Sequence, residues 1–218
     1  MGNILNLIKL DKAIMKPYYK YFLVIIIAPI LVMLSYKNIV YGIIFAMTMA
    51  AMTSSYTFSV TEKNDLNRLY GLLPVNKKEI VSGRYIFTTL LGLVLLVISL
   101  ALMLVIFVFF KIPFTIDEVI TGISSGILIY SFFTAIQLPG YFKLGAIKGR
   151  AFNFLPFIGI FLIGSIADSI GLSSYTNTSL PAILNNPFGM LAMAILLAVV
   201  LYCISIGITQ RIYDKMEL

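Results

Sequence analysis

Very few side chains in this sequence of 218 residues could carry out catalysis. It contains no histidine, the commonest general base and metal ligand, and a single cysteine, Cys203. The pattern G-x-x-x-x-G-K-[ST], whose backbone cradles nucleotide phosphates, does not occur. One acid, Asp168, lies inside a long apolar run, whereas an intramembrane aspartyl protease needs two. We therefore expect no enzyme activity and no catalytic, cofactor-binding or metal-binding residue.

Charged side chains cluster instead in one stretch between two apolar runs, "VTEKNDLNRLYGLLPVNKKEIVSGRY", residues 60–85. Within it, apolar residues recur at the i, i+3, i+4 and i+7 spacing of a helix face: Leu66, Leu69, Tyr70 and Leu73. Thr61 would cap the start of this helix, and Pro74 would end it. The pattern predicts a short helix over 61–74, with its apolar face covered by lipid, by the protein's own helices or by a cytoplasmic partner.

A second helix is predicted directly after Pro74. Asn76 followed by Glu79 is a capping box, and the pattern continues into the next apolar run. The stretch is therefore expected to form a rigid hook rather than a flexible linker. Asn186 followed by Pro187 predicts, in the same way, the start of the last helix.

The composition indicates a membrane protein. It is 60% hydrophobic and only 11% charged, and its mean hydropathy is +1.00. About 20 apolar residues are needed to cross the hydrocarbon layer as a helix. Six runs meet that length, near residues 19–36, 38–60, 84–110, 119–138, 152–171 and 187–210. The predicted fold is an all-α polytopic membrane protein, with residues 1–218 forming one transmembrane domain of six helices.

The distribution of Lys and Arg predicts the orientation. Of the 16 cations, all but Lys37 and Lys111 fall in the terminal segments and in the second and fourth connections. Cations concentrate on the cytoplasmic side of membrane proteins, so both termini are predicted to be cytoplasmic. The net charge of +7 then reflects contact with anionic lipid rather than with nucleic acid.

Residues 1–16 predict an amphipathic helix at the membrane interface. Its apolar side is formed by Ile4, Leu7, Ile8, Leu10, Ile14 and Met15, and Lys9, Lys12 and Lys16 share another side. Asp11 falls inside the apolar arc, where a charge is out of place. Such a helix would serve as a membrane anchor alone, or would also dock a partner.

Polar side chains inside the apolar runs have two interpretations. Hydroxyls in the second and fourth runs would serve helix packing or would line a substrate path, which would include Thr53, Ser55, Ser124 and Ser131. Asp168 would attract a cationic substrate or relay protons, or would simply reach the headgroups from the outer end of its run.

Two stretches resemble ABC transporter permeases of the ABC-type-2 class in their small six-span form. One is "EKNDLNRLYGLLPVNKKEIVSGRY", with its acidic start, Leu-Pro, basic pair and Glu-Ile-Val. The other is "LPGYFKLGAIKGR", residues 138–150. In size and layout, the chain is similar to permease subunits of phenol-soluble modulin exporters.

This resemblance implies an exporter subunit for a hydrophobic or amphipathic substrate, for example a peptide, in a bacterial plasma membrane. Two copies, or one copy and a paralogue, would form a dimer in membrane lipid. A separate cytoplasmic ATPase would bind ATP and magnesium. Residues 1–16 would be the interface helix and 62–73 the coupling helix, with contacts to the ATPase at Glu62, Asp65, Leu66, Arg68, Leu69, Tyr70 and Leu73.

Two other functions stay open at this point. The first is a membrane sensor or immunity protein that sequesters a peptide without transporting it. The second is an ATP-independent carrier, although such carriers usually show inverted repeats, broken helices and paired intramembrane charges.

Overall fold

The computed structural model describes residues 2–16, 22–64, 76–169 and 186–215, and these ranges are helical apart from short turns. No strand occurs within them, which confirms the predicted all-α class. The helices follow in chain order as α1 (Gly2–Met15), α2 (Phe22–Tyr36), α3 (Ile39–Met52), α4 (Ser54–Lys63), α5 (Lys77–Phe109), α6 (Ile116–Lys148), α7 (Arg150–Ser169) and α8 (Pro187–Asp214).

Four helical segments in the described ranges are long and apolar enough to cross a membrane. They are α3 with α4 (Ile39–Lys63), α5, α6 and α8. Shorter apolar helices, Val24–Tyr36 and Arg150–Leu162, lie where the sequence predicts the first and fifth spans. Each predicted run thus coincides with a helix, and the chain is a multi-pass membrane protein. The crossing by all six runs stays a prediction.

Two predicted helix starts are confirmed. The backbone N–H of Asn76 donates to Glu79 Oε2 at 3.1 Å, which completes the capping box that opens α5. Asn186 Oδ1 accepts from the N–H of Phe188 at 3.1 Å, with Pro187 in the first turn of α8. Both caps satisfy donors that a helix leaves without intrahelical partners at its N-terminus.

The start predicted at Thr61 is wrong. Thr61 lies inside α4, which runs on to Lys63, and its hydroxyl donates to the carbonyl of Thr57 at 2.7 Å. A threonine hydroxyl bonds as readily to the preceding turn of its own helix as to a new helix, and here it does the former. The rest of the predicted 61–74 helix lies outside the described residues, and with it Asp65, Leu66, Arg68, Leu69, Tyr70 and Leu73.

Two apolar clusters hold the helices together. The first joins α2, α3, α5 and α6, and its fully buried members include Met33, Ile43 and Phe107. The second joins α1, α4, α5, α6 and α8, and it includes Leu7 and Phe58.

One close approach between α5 and α6 requires a glycine. Gly92 lies directly against the ring of Tyr130, and a Cβ at this position would overlap that ring. Gly207 of α8, in contrast, has no atom within 4 Å of the place that its Cβ would take. Small residues commonly allow helices to approach closely in membrane proteins.

Candidate functional site at the basic end of the helices

The polar groups of greatest interest lie where α1, the end of α4, the start of α5 and the end of α6 meet. The chain leaves α4 at Lys63 and enters α5 at Lys77, so the charged stretch of the sequence is anchored here. Several exposed cations belong to these same segments, namely Lys9, Lys12, Lys63, Lys78, Lys143 and Lys148, and the exposed Arg150 follows as the first residue of α7. We call this the basic end.

A buried ion pair joins α1 to α5. Arg84 Nε lies 3.3 Å from Asp11 Oδ2, and the two residues are 4% and 2% exposed. A buried charge is costly unless it is paired, so each group requires the other. Asp11 lies on the buried stripe of α1 between Leu7 and Met15. The charge that is out of place in the amphipathic pattern is therefore the partner of Arg84.

Arg84 also contacts the end of α4. Its Cζ atom lies 4.7 Å from the ring centroid of Phe58, within the range of a cation–π interaction. Its Nη2 lies 3.4 Å from Thr61 Oγ1. Arg84 thus links α1, α4 and α5. The sequence signal for this role was the misplaced acid on α1, since nothing local to Arg84 predicts its burial.

A second acid, Glu62, bonds to the far end of α6. Its Oε2 atom accepts the backbone N–H of Ala146 at 2.6 Å and that of Ile147 at 2.9 Å. These residues follow Gly145, which interrupts α6 with φ 73° and ψ 176°, a conformation that favours glycine. Glu62 and Gly145 belong to the two different stretches that carry the family resemblance. The structure therefore brings those stretches into direct contact.

The hydroxyls predicted as a substrate path are buried and bonded to backbone carbonyls three or four residues earlier in the chain, and Ser55 Oγ also lies 3.1 Å from Asn153 Oδ1 of α7. Thr53 donates to the carbonyl of Ala50, Ser55 to Met52, Ser124 to Ile120 and Ser131 to Ile127, at 2.6 to 2.9 Å. Such bonds are what the packing interpretation predicts. Asp168 lies in the last turn of α7, and its side chain lies outside the described part. The substrate path stays a prediction.

Other polar groups cross-link the helices. Gln137 of α6 accepts from Ser54 of α4 at 3.1 Å and donates to the carbonyl of Phe152 in α7 at 2.8 Å. The hydroxyl of Tyr85 in α5 lies 2.7 Å from that of Thr209 in α8. In an apolar environment such bonds hold helices in fixed relative positions.

A cavity of about 320 Å³ lies between α3, α5, α6 and α8. Its lining is almost wholly apolar and includes Met47, Leu93, Tyr130 and Val199, together with Ser131. Cavities of this size are within the range that small ligands occupy. The chemistry of the lining suits a hydrocarbon group.

The described contacts of the basic end hold its helices together. Among the described residues, no group of three or more His, Cys, Asp or Glu side chains could hold a metal ion. The acids Asp11 and Glu62 each contact another helix. Electrostatic and backbone contacts of this kind position the two ends of the charged stretch.

Comparison with known proteins assigns the chain to a family. A family model described as ABC-2 family transporter protein matches residues 6–214. Comparisons with curated proteins and with solved structures gave no significant match. The family match includes every helix from α2 to α8 and most of α1. The chain therefore belongs to the ABC-2 family of transporter proteins.

Proposed function

We propose that this chain is the membrane-spanning permease subunit of an ABC exporter and works with a separate ATPase. The match to the ABC-2 family over residues 6–214 carries this proposal, because permeases of that family generally act with a cytoplasmic ATPase. ATP and magnesium would bind in that partner. The chain itself would supply the membrane path and the surface that receives the motion of the ATPase.

In this proposal the basic end faces the cytoplasm. Both termini lie there, and all six apolar runs cross the bilayer. The gathering of exposed cations on α1, α4, α5 and α6 at one end supports this orientation, since cytoplasmic segments of membrane proteins are enriched in Lys and Arg.

The loop between α4 and α5 would contact the ATPase. Its apolar face, Leu66, Leu69, Tyr70 and Leu73, would fill a groove on that partner, with Asp65 and Arg68 at the rim. Motion of the ATPase can reach the spans only through a stiff connection. The contacts of Arg84 with Asp11, Phe58 and Thr61 support such stiffness, because they hold both ends of the loop.

The substrate would be hydrophobic or amphipathic, and an amphipathic peptide of the phenol-soluble modulin type is the specific proposal. The apolar cavity between α3, α5, α6 and α8 supports this class of substrate. A second copy of the chain, or a paralogue, would complete the path across a bacterial plasma membrane. Apolar side chains of α8 that are exposed in the single chain, such as Leu196 and Val199, leave room for lipid or for that second subunit.

Changing Leu69 and Tyr70 together to Asp tests the loop assignment. The two charges would enter an apolar groove, where each fully buried apolar side chain contributes about 1.5–3 kcal/mol. We expect the variant to insert normally but to lose its ATPase and all export. The measurement is recovery of the ATPase on the affinity-tagged chain, from membranes that hold equal amounts of each variant.

Arg68→Ala is the matched control for this experiment. A charge at the rim of an interface contributes little, so this variant should retain most of the ATPase. Recovery of the ATPase at the parental level with the double Asp variant would show that the loop is not the contact. A parental chain that recovers no ATPase would favour a membrane sensor or an ATP-independent carrier.

A further inference from the structure

Glu62 acts as an N-terminal cap on a helical turn that lies far away in the sequence. Gly145 breaks α6, and residues 146–148 form a new turn that the bond from Gly149 N–H to Gly145 C=O closes at 3.0 Å. The first N–H groups of any helical turn have no partner within that turn. Glu62 Oε2 accepts two of them, those of Ala146 and Ile147. The cap comes from a residue 84 positions away from the first of them.

The site is shaped for a carboxylate. A Cβ at Gly145 would lie 2.9 Å from Glu62 Oε2 and 3.0 Å from Oε1, so only glycine leaves space for the acid at this distance. The positive φ of Gly145 turns the following N–H groups toward Glu62. Hydrogen bonds from backbone N–H groups to an ionised carboxylate are stronger than bonds between neutral groups.

The position of Glu62 at the end of α4 determines which segments the cap connects. Glu62 is next to the last residue of α4, Lys63, after which the loop begins. Phe58, one turn earlier, packs its ring against Tyr141 and Phe142 of α6, which precede Gly145. Glu62 reaches past Gly145 to the segment that leads into α7. The start of the loop is therefore tied to both sides of the break in α6.

We propose that Glu62 is a positioning residue for transport. It couples displacement of the loop between α4 and α5 to residues 146–148, which follow Gly145, and through them to α7. The proposal rests on the proposed function, in which the ATPase acts on that loop. The break at Gly145 allows the segment to move relative to the body of α6, and the Glu62 carboxylate determines that it moves with α4. Without the carboxylate, less of the motion of the bound ATPase would reach α7, because among the described hydrogen bonds only the Gln137 bonds and the contact between Ser55 and Asn153 would still link α4 to α7.

Spin labels at Lys63 and Lys148 measure the coupling directly. Both residues are exposed, and the exposed Cys203 is first replaced by Ser so that only the two introduced cysteines react. In the parental background the distribution of distances between the two labels should be narrow in the free permease. It should be equally narrow in the reconstituted complex, with or without ATP and orthovanadate. In Glu62→Ala this distribution should be broader than in the parental background, both in the free permease and in the complex.

Two further variants separate positioning from general damage. Glu62→Gln keeps an acceptor oxygen at the same reach and should restore much of the narrow distribution. Asp117→Asn removes an exposed carboxylate from the first turn of α6, at the other end of that helix. This variant should leave the distance distribution unchanged. Glu62 belongs to the predicted ATPase contact, so the Glu62 variants are compared with the parental chain at equal amounts of bound ATPase, whereas Asp117→Asn should leave ATPase recovery and ATP hydrolysis near the parental level.

The functional readout is the accumulation of a fluorescent amphipathic helical peptide in inside-out vesicles, divided by the ATP hydrolysed. For Glu62→Ala, this ratio should fall about tenfold or more, because two charge-assisted hydrogen bonds are lost. A distance distribution in Glu62→Ala that matches the parental one would overturn the inference, as would an unchanged ratio. If the parental chain recovers no ATPase, the proposed function fails, whereas the labels in the free permease still report whether Glu62 holds the segment.

Discussion

Replacing Asp11 by Ala should release α1 from the rest of the protein. The change removes the Asp11 carboxylate from the guanidinium of Arg84, a residue that is 4% exposed. Removal of one member of a buried ion pair costs about 3–5 kcal/mol. The contacts of Arg84 with Phe58 and Thr61 remain in the variant, so we expect a value near the lower limit, about 3 kcal/mol. The cost falls on the docking of α1, because the pair joins α1 to α5.

The undocked fraction of α1 can be measured through Met15, whose side chain is fully buried on that helix. In a Met15→Cys, Cys203→Ser background, a water-soluble maleimide should react only when α1 undocks. If docking is faster than reaction, the rate reports the undocked fraction. A cost of about 3 kcal/mol then predicts labelling about 100- to 200-fold faster in detergent solution. Lys9→Ala, an exposed change on the same helix, should alter the rate by no more than about two- to threefold.

The double variant Asp11→Leu, Arg84→Met completes the test. It removes both charges and keeps similar volumes, and such replacements of buried pairs are often neutral or stabilising. Its labelling rate should therefore return close to that of the background. The reasoning is refuted if Asp11→Ala reacts at the background rate, or if the double variant reacts as fast as the single one.

Two further predictions concern packing and topology. Gly92→Ala should lower the free energy of unfolding by about 1–3 kcal/mol, because the new methyl group overlaps the Tyr130 ring. Gly207→Ala has open space and should be neutral or stabilising by up to about 1 kcal/mol, so equal thermal midpoints of the two variants in detergent would contradict this account. Cysteine introduced at Ser174 should react with an impermeant reagent in intact cells, and cysteine at Asn64 only after permeabilisation. Reaction at Asn64 in intact cells would reverse the predicted orientation.

The helices could be predicted from the sequence because their signals are local. Apolar runs of spanning length coincide with helices, and Asn76 and Asn186 cap the helices that follow them. Thr61 shows where local signals fail. A threonine before an acidic residue is typical of an N-cap, but the same hydroxyl can bond to the preceding turn of its own helix. Which of the two occurs depends on whether the preceding helix continues, and the sequence pattern around Thr61 does not determine this.

The contacts of the basic end could not be predicted because they join distant parts of the chain. Asp11 was recognised as out of place on α1, yet its partner, Arg84, lies on α5 in a stretch rich in exposed cations. The bond from Glu62 to the turn after Gly145 left a weaker signal still, a single glycine in a basic segment. A backbone acceptor site has no side-chain signature, since any residue except proline supplies the same N–H group.

The bond between Glu62 and Ala146 can form only late in the synthesis of the protein. Ala146 follows Glu62 by 84 residues, and ribosomes add about 5–20 residues per second. Glu62 and the loop after it therefore exist for about 4–17 s before the backbone that the acid caps has been made. In that interval α5 and most of α6 are also synthesised. Glu62 is thus made early, and it reaches its bonded position only after Ala146 and Ile147 have been added.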